Sequence, residues 1–441
     1  MSGVKTEDVT PLLREHLGDG LEATAVARVA VGNGQETWLV EARGVRGERQ
    51  LVLRRTAAAG TLEWTDRTRE HTILSALAGR GLPIPRVFGL GTLERAYLLM
   101  ERLPGAPPGR LSDEERGRLG RELGLWLARL HALAPDELGL EAPTSAREAT
   151  LDEVHRWQER YRAGRAAPVP LLGALLAWAE RNAPDDGEEP VLLWGDPGPH
   201  NVLVGDGRVT GLLDWELAHL GHPLEDLGGA VWSCLGRLEP DDVVAGYEAE
   251  AGRVDAGTLA YFVALACATR SAMVVNGVEA WLAGRTTAPA TAALGLDLLA
   301  LNLARGAEAA GWGVLPPADD RPPELPFRPD AAETATGVAR WLATDVLEAT
   351  EDRRLRRMVK SAAALLEATA SRVPAGPLDD LAAVEERAIA AELAGGDREL
   401  RGVLLADLAR EWARLEPLTR LHGHPLPAAS AGVEPHGIPA R

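Results

Sequence analysis

Residues 194 to 216, WGDPGPHNVLVGDGRVTGLLDWE, limit the folds open to this chain more than any other stretch. Two apolar runs flank Gly205-Asp206-Gly207, and because glycine and aspartate tolerate the positive φ angles of a tight turn, the spacing predicts a β-hairpin. A hairpin returns the chain on itself. Asp196 and Asn201, in the loop before the first strand, then converge with Asp214 at the end of the second. Oxygen donors so grouped suit a hard divalent cation such as Mg²⁺, which takes few ligands from protein and the rest from water and phosphate. Asn201 and Asp214 fit that role, which leaves Asp196 for the hydroxyl of an acceptor. Singly, each residue has a plain explanation, since Asp196 precedes a proline and Asn or Asp side chains often cap loop backbone. The joint pattern is what selects the chemistry.

The rest of the chain sets the scale. A length of 441 residues exceeds what one hydrophobic core usually organises, and 46% hydrophobic with 25% charged residues is the composition of a globular protein. A formal charge of -18 without a Lys/Arg cluster argues against a nucleic-acid partner, because phosphate-backbone binding needs a basic face. Cys234 and Cys267 lie in apolar surroundings without C-x-x-C spacing, so they are expected to be small core residues in a reducing compartment. The opening MSGVKTEDVTPLLREHL is acidic where a signal peptide is basic, and the most apolar long stretch, residues 261–275, is interrupted by Arg270 and short for a bilayer. A cytoplasmic protein with no membrane partner is expected.

Thr10 and Pro11 are expected to open a short helix with Leu12, Leu13 and Leu17 on one face. Residues 24–55 then alternate β-type runs with glycine-bearing turns, residues 63–77 carry helical spacing, and RVFGL and AYLLMER read as two more strands. Sheet, helix and sheet are complete by residue 103. After Pro104 to Pro108, Ser112 followed by Asp113 to Glu115 makes a good helix start, and helical patterns then dominate. The proline-rich residues 314–330 read as a linker, and residues 331–441 as a separate helical domain without a fixed-period repeat.

These motifs resemble the aminoglycoside phosphotransferase-like kinases, and within them the group related to the kinase domains found with acyl-CoA dehydrogenases. The resemblance rests on Trp194-Gly195-Asp196 through Asn201, Asp214-Trp215-Glu216, and Gly221-His222-Pro223-Leu224-Glu225-Asp226-Leu227, and covers most of residues 20–310. It implies an α+β, bilobal protein-kinase-like fold: a nucleotide-binding lobe over 1–103 with an antiparallel sheet and a helix, a mainly helical catalytic lobe over 104–313, and then an all-helical domain. By resemblance Asp196 is the catalytic base or hydroxyl-orienting residue, Asn201 and Asp214 hold Mg²⁺, and Glu216 and Asp226 support the loop, with Asp226 bracing it. ATP would be held by the Gly32 and Gly34 turn, by Arg54 paired with Glu70, and at an inter-lobe hinge that includes Met100, Glu101 and Leu103.

Two residues depart from the family pattern. Arg54 stands where many kinases have lysine, which keeps a phosphate contact but changes its reach. Trp194 replaces the usual histidine before Gly195-Asp196, a position that is mainly architectural in related folds. Arg55, on the opposite face of its strand, reads as a solvated charge, and His131 as a packed helix residue with a hydrogen-bond partner. His200, His219 and His222 crowd the site, but His219 and His222, spaced i and i+3, have no third partner that the sequence identifies, so a zinc centre is not expected. The expected activity is ATP- and Mg²⁺-dependent transfer of a phosphoryl group to a hydroxyl of a small molecule, a hydroxyacyl thioester ahead of an aminoglycoside-type antibiotic. A kinase-shaped binding module without turnover is the rival from another class. For the C-terminal helices, oligomerisation or partner binding is the expected role.

Overall fold

The computed structural model describes residues 4–18, 20–29, 35–56, 65–165, 168–234, 236–285, 289–316, 331–350, 355–356, 359–360, 363, 366 and 379–422. The linker expectation falls largely on residues 317–330 and so lies outside the described residues. Helix α1 (Thr6–Leu17) leads into strands β1 (Glu22–Arg28), β2 (Gln35–Gly44) and β3 (Gly47–Thr56), then α2 (Arg67–Leu77), β4 (Val87–Leu93) and β5 (Arg95–Glu101). Helices α3 (Asp113–His131), α4 (Ala146–Gly164) and α5 (Pro170–Arg181) follow. Next come β6 (Val191–Leu193), β7 (Val202–Gly205), β8 (Arg208–Leu212) and β9 (His219–Gly221). The chain continues through α6 (Pro223–Ser233), α7 (Pro240–Ala251), α8 (Ala256–Leu282), α9 (Pro289–Ala309), α10 (Ala331–Trp341), α11 (Asp379–Leu393) and α12 (Arg398–His422).

The chain packs as two compact units, and none of the points where it crosses between them falls in the proline-rich segment. The first takes residues 1–58, 62–150 and 185–255, the second 59–61, 151–184 and 256–441.

In the first unit, β1 to β5 form one antiparallel sheet in the order β1-β2-β3-β5-β4. Alternate residues of a strand share a face, so Trp38, Val40 and Ala42 of β2 and Leu51 and Leu53 of β3 all turn inward. Val9 and Leu13 of α1, one turn apart, close that core. The first helix begins earlier than the sequence suggests: Asp8 accepts from the Lys5 amide at 2.8 Å, which starts the helix at Thr6 and leaves Pro11 inside it. One interior hydrogen bond is lost there. Ser112 caps α3 as expected, its hydroxyl accepting from the Glu115 amide while Glu115 returns a bond to the Ser112 amide at 2.8 Å.

The chain leaves β5 and is at once fastened to the second sheet of this unit. Thr210 donates to the Pro104 carbonyl at 2.6 Å, and Ala106 bridges Val204 of β7 with paired backbone bonds of 3.0 and 2.8 Å. Residues 104–106 thus run as an extra edge on the β7–β8 hairpin. That hairpin turns at Asp206 and Gly207, both with positive φ (51° and 72°), as the Gly-Asp-Gly signal requires.

The second unit is helical. Helix α8 is 27 residues long, and by length and composition it could cross a membrane, so the shortness expected of residues 261–275 does not hold. Burial gives the better account: 72% of its most apolar window is enclosed by protein. Helices α10, α11 and α12 pack within the same unit, α10 on α8 and α9, α11 on α5, and α12 on α9 and α5. Arg340 of α10 donates to the last carbonyls of α8, Trp281 and Leu282, at 3.1 and 3.2 Å, the end of a helix where a cation is favoured. Glu385 of α11 accepts from Tyr161 at 2.5 Å and pairs with Arg165. Cys234 in the first unit and Cys267 in the second are both buried free thiols, and burial pushes the Cys267 thiol up to about 12.

Candidate functional site

The catalytic-type loop lies between β6 and β7. A short turn, Pro199–Asn201, brings the Asn201 amide back to Asp196, where Nδ2 donates to the Asp196 carbonyl at 3.0 Å and to its Oδ2 at 2.9 Å. At the open end of the hairpin the Leu213 amide donates to the Asn201 carbonyl at 2.8 Å. The sequence neighbour of Leu213 is Asp214, so the hairpin does bring Asp196, Asn201 and Asp214 to one end. Asp214 itself holds a φ of 64°, a left-handed conformation that costs a non-glycine residue roughly 1 kcal/mol or more. Its side chain stays about one-third exposed, at 34%.

The loop is held from beneath. Asp226 near the start of α6 accepts from two consecutive amides, Trp194 at 2.6 Å and Gly195 at 2.8 Å, and its Oδ2 also meets His131 Nε2 at 3.2 Å. His131 Nδ1 in turn meets the Tyr247 hydroxyl at 3.0 Å. Gly195 has a φ of 86°, and a β-carbon there would lie 2.3 Å from the Leu217 carbonyl oxygen, so no other residue fits. Trp194 does the architectural work at the histidine position: its indole stacks on Trp215 at 5.8 Å and donates to the Leu213 carbonyl at 2.8 Å. The two arms of the loop are thereby joined.

Arg54 on β3 stands at the centre of a buried ionic cluster. Its guanidinium reaches Asp214 at 2.7 Å, Glu70 at 3.1 Å and Glu216 at 3.8 Å. A lysine has one ammonium; the planar fork holds two carboxylates at once. Arg67, at the start of α2, supplies a second cation: it pairs with Glu70 and reaches Glu216 at 3.0 Å. Glu216 also accepts from Thr65 at 3.4 Å. Sequence reasoning did not single out Arg67. Its only signal was its place one turn before Glu70 on a helix capped by Asp66.

Two arginines face three carboxylates in this cluster, and the excess negative charge is relieved at Glu216. Burial, followed by the charge of Asp214, pushes the Glu216 carboxyl up to about 8, although Arg54 and Arg67 both pull it down. The same carboxylates raise the pKa of Arg54 against the opposing effect of burial. A folded pKa above the unfolded value means that the native state binds the extra proton. The stability Glu216 contributes is therefore complete below its ordinary value of 4.5 and is lost as pH rises towards about 8. In metal-free protein, Glu216→Gln is expected to flatten the fall in unfolding midpoint between about pH 5 and 8. Urea titrations across that range measure it, and an unchanged slope assigns the dependence to another group.

The remaining expected residues fall as follows. Gly32 and Gly34 lie outside the described residues. Met100 is buried on β5 opposite Val52 and Val87, Glu101 closes the strand with its amide donating to the Arg86 carbonyl at 2.8 Å, and Leu103 follows at half burial. Arg55 is not a solvated charge. It is buried, pairs with Glu36 at 2.7 Å and Glu94 at 3.1 Å, and lies 5.0 Å from the centre of the Trp38 ring. Both faces of β3 are covered, so strand alternation alone could not place it outside. The three crowded histidines go to three different carboxylates: His200 to Asp196 at 3.2 Å, His219 to Glu225 at 3.1 Å and His222 to Asp186 at 3.1 Å.

Comparison with known proteins gives the family of the chain. The first 232-residue match, 29% identical, is to acyl-CoA dehydrogenase family member 11 of Rattus norvegicus, over 49% of this chain and 29% of that protein. The chain thus spans less than a third of the length of the curated relatives it matches first. Viomycin phosphotransferase of Streptomyces vinaceus is 29% identical over 264 residues, which is 56% of this chain and 85% of that enzyme. A solved structure titled "putative aminoglycoside phosphotransferase" from Ralstonia eutropha shares the fold, with a TM-score of 0.55 at 21% identity over 69% of this chain and 98% of that one. The model of the phosphotransferase enzyme family matches residues 25–262, more than half of the sequence, and it includes Arg54, Glu70, Asp196, Asn201, Asp214 and Asp226. The chain belongs to that phosphotransferase (APH) family.

Proposed function

We propose that the chain is a cytoplasmic ATP- and Mg²⁺-dependent kinase that transfers the γ-phosphoryl group to a hydroxyl of a small molecule. The observation that carries this reading is the hydrogen bond of 2.9 Å between Asn201 and Asp196, set beside an Asp214 held by Arg54 at 2.7 Å. The donor set fits a hard divalent cation: Asn201 spends Nδ2 on Asp196 and keeps its carbonyl oxygen, and Asp214 adds a partly exposed carboxylate whose charge Arg54 only partly balances. Asn201 and Asp214 would hold Mg²⁺, which when bound neutralises charge on the transferring phosphates. Asp196 orients the acceptor hydroxyl and takes its proton as the oxygen attacks. Arg54 fixes Asp214 and supplies the cation of the nucleotide site, and Gly32, Gly34, Met100, Glu101 and Leu103 frame the rest of it.

Most of the rate gain in such a site comes from positioning and charge. Asp214→Ala should therefore weaken Mg-ATP binding by about tenfold or more, while binding of ATP measured in excess chelator changes by less than about threefold. Calorimetric titration with and without Mg²⁺ separates the two, and equal losses in both would remove Asp214 from the metal site.

For the acceptor, the similarity to the acyl-CoA dehydrogenase relatives favours a hydroxyacyl thioester. The match to 85% of viomycin phosphotransferase favours an antibiotic instead. Following ADP release against both classes of acceptor distinguishes these readings.

A further inference from the structure

The geometry points to an anion subsite for the acceptor, in which Arg110, Arg116 and Arg237 bind a phosphate or carboxylate carried by the molecule that is phosphorylated. This rests on the kinase reading above and names the chemistry of its second substrate.

The three arginines line a cavity of about 410 Å³ with Pro108, Gly109, Leu111, Pro199 and Gly236. Its wall at Pro199 belongs to the turn Pro199–Asn201, three residues after Asp196, so the cavity adjoins the loop that would receive the hydroxyl. The other walls come from the segment entering α3 and from the α6–α7 connection. All lie within the first compact unit. A cavity of this size holds a small-molecule moiety of several heavy atoms.

Its charge is the informative feature. Arg116 is partly spent: Nη2 reaches Asp113 at 2.6 Å and Glu239 at 3.9 Å, and Nη1 donates to the Gly236 carbonyl at 3.3 Å. Its Nε is buried and makes no hydrogen bond. Arg110 and Arg237 are exposed and have no ion-pair partner among the described residues. On a chain of net charge -18, two uncommitted guanidinium groups beside a third give this cavity the sign opposite to the whole. Guanidinium forks match carboxylate and phosphate bidentately, and a polycationic acceptor would meet like charge here.

The test compares wild type with Arg110→Ala/Arg237→Ala, two exposed positions whose truncation leaves the core untouched. Binding of coenzyme A, 3-hydroxybutyrate and inorganic phosphate is measured by calorimetry, and turnover is followed with 3-hydroxybutyryl-CoA and the phosphate-free 3-hydroxybutyryl-pantetheine. The expected result is a loss of about tenfold or more in affinity for at least one anionic probe, with the KM for ATP and turnover of the pantetheine thioester within about twofold. Loss confined to coenzyme A and its thioester identifies a phosphate, and loss confined to 3-hydroxybutyrate a carboxylate. Wild type that binds none of the three probes, a double variant that binds them unchanged, or a matching rise in the KM for ATP overturns the subsite. Binding lost in the variant without ADP release from either protein would instead count against the kinase reading and leave the subsite standing.

Discussion

Asp196→Asn is expected to lower turnover by about 10²–10⁴-fold while nucleotide affinity stays within about twofold. The amide keeps the size of the side chain and can still accept from Asn201 Nδ2, which now sits 2.9 Å from Asp196 Oδ2, so the loop retains its shape. What is lost is the negative charge that draws and receives the hydroxyl proton. ADP release under saturating acceptor gives the turnover, and calorimetry with Mg-ATP gives the affinity. A variant with full turnover would mean that the proton leaves by another route and that Asp196 only orders the loop.

The second large effect belongs to stability. Arg67 is 2% exposed and lies between Glu70 and Glu216, so Arg67→Met removes one of the two cations of the cluster. Breaking one side of a buried ion pair leaves a charge that neither water nor a partner compensates, at a cost of about 3–5 kcal/mol. Above about pH 8, where Glu216 is ionised, Arg67→Met/Glu216→Gln should recover at least about 1 kcal/mol of that loss, because the orphaned carboxylate is gone as well. Denaturant unfolding of the two variants and of Glu216→Gln completes the cycle. Strict additivity would show that Arg67 and Glu216 do not interact in solution.

The parts of this molecule that were legible in the sequence are those in which local chemistry decides structure. Gly205-Asp206-Gly207 specified the hairpin because only a few residue types accept two successive positive φ angles. Ser112 and Glu115 marked the start of α3 because the four leading amides of a helix need acceptors. The return of Asp214 to the neighbourhood of Asn201 followed from the hairpin. Arg67 and Arg55 were not legible, for one reason: the partners that define them stand far away in sequence. Glu216 lies 149 residues from Arg67, and Glu94 lies 39 from Arg55. No period or short motif carries that information. Helix α8 shows the same limit, since composition alone does not separate a span from a core helix and only its packing does.

The short strap at residues 104–106 has a mechanical consequence. Glu101 makes the last pairing of β5, opposite Leu51, and Pro104 is already bonded to Thr210 of the hairpin. Only Arg102 and Leu103 lie between the two anchors. Any swing of the five-stranded sheet against the hairpin that uses this connection must be taken up by the backbone torsions of those two residues, because peptide planes do not twist. The swing would also have to part Arg54 from Asp214 and Arg67 from Glu216, which span the same gap through side chains. A two-residue pivot with two side-chain latches makes separation of the sheet from the hairpin a discrete event rather than a gradual flexing.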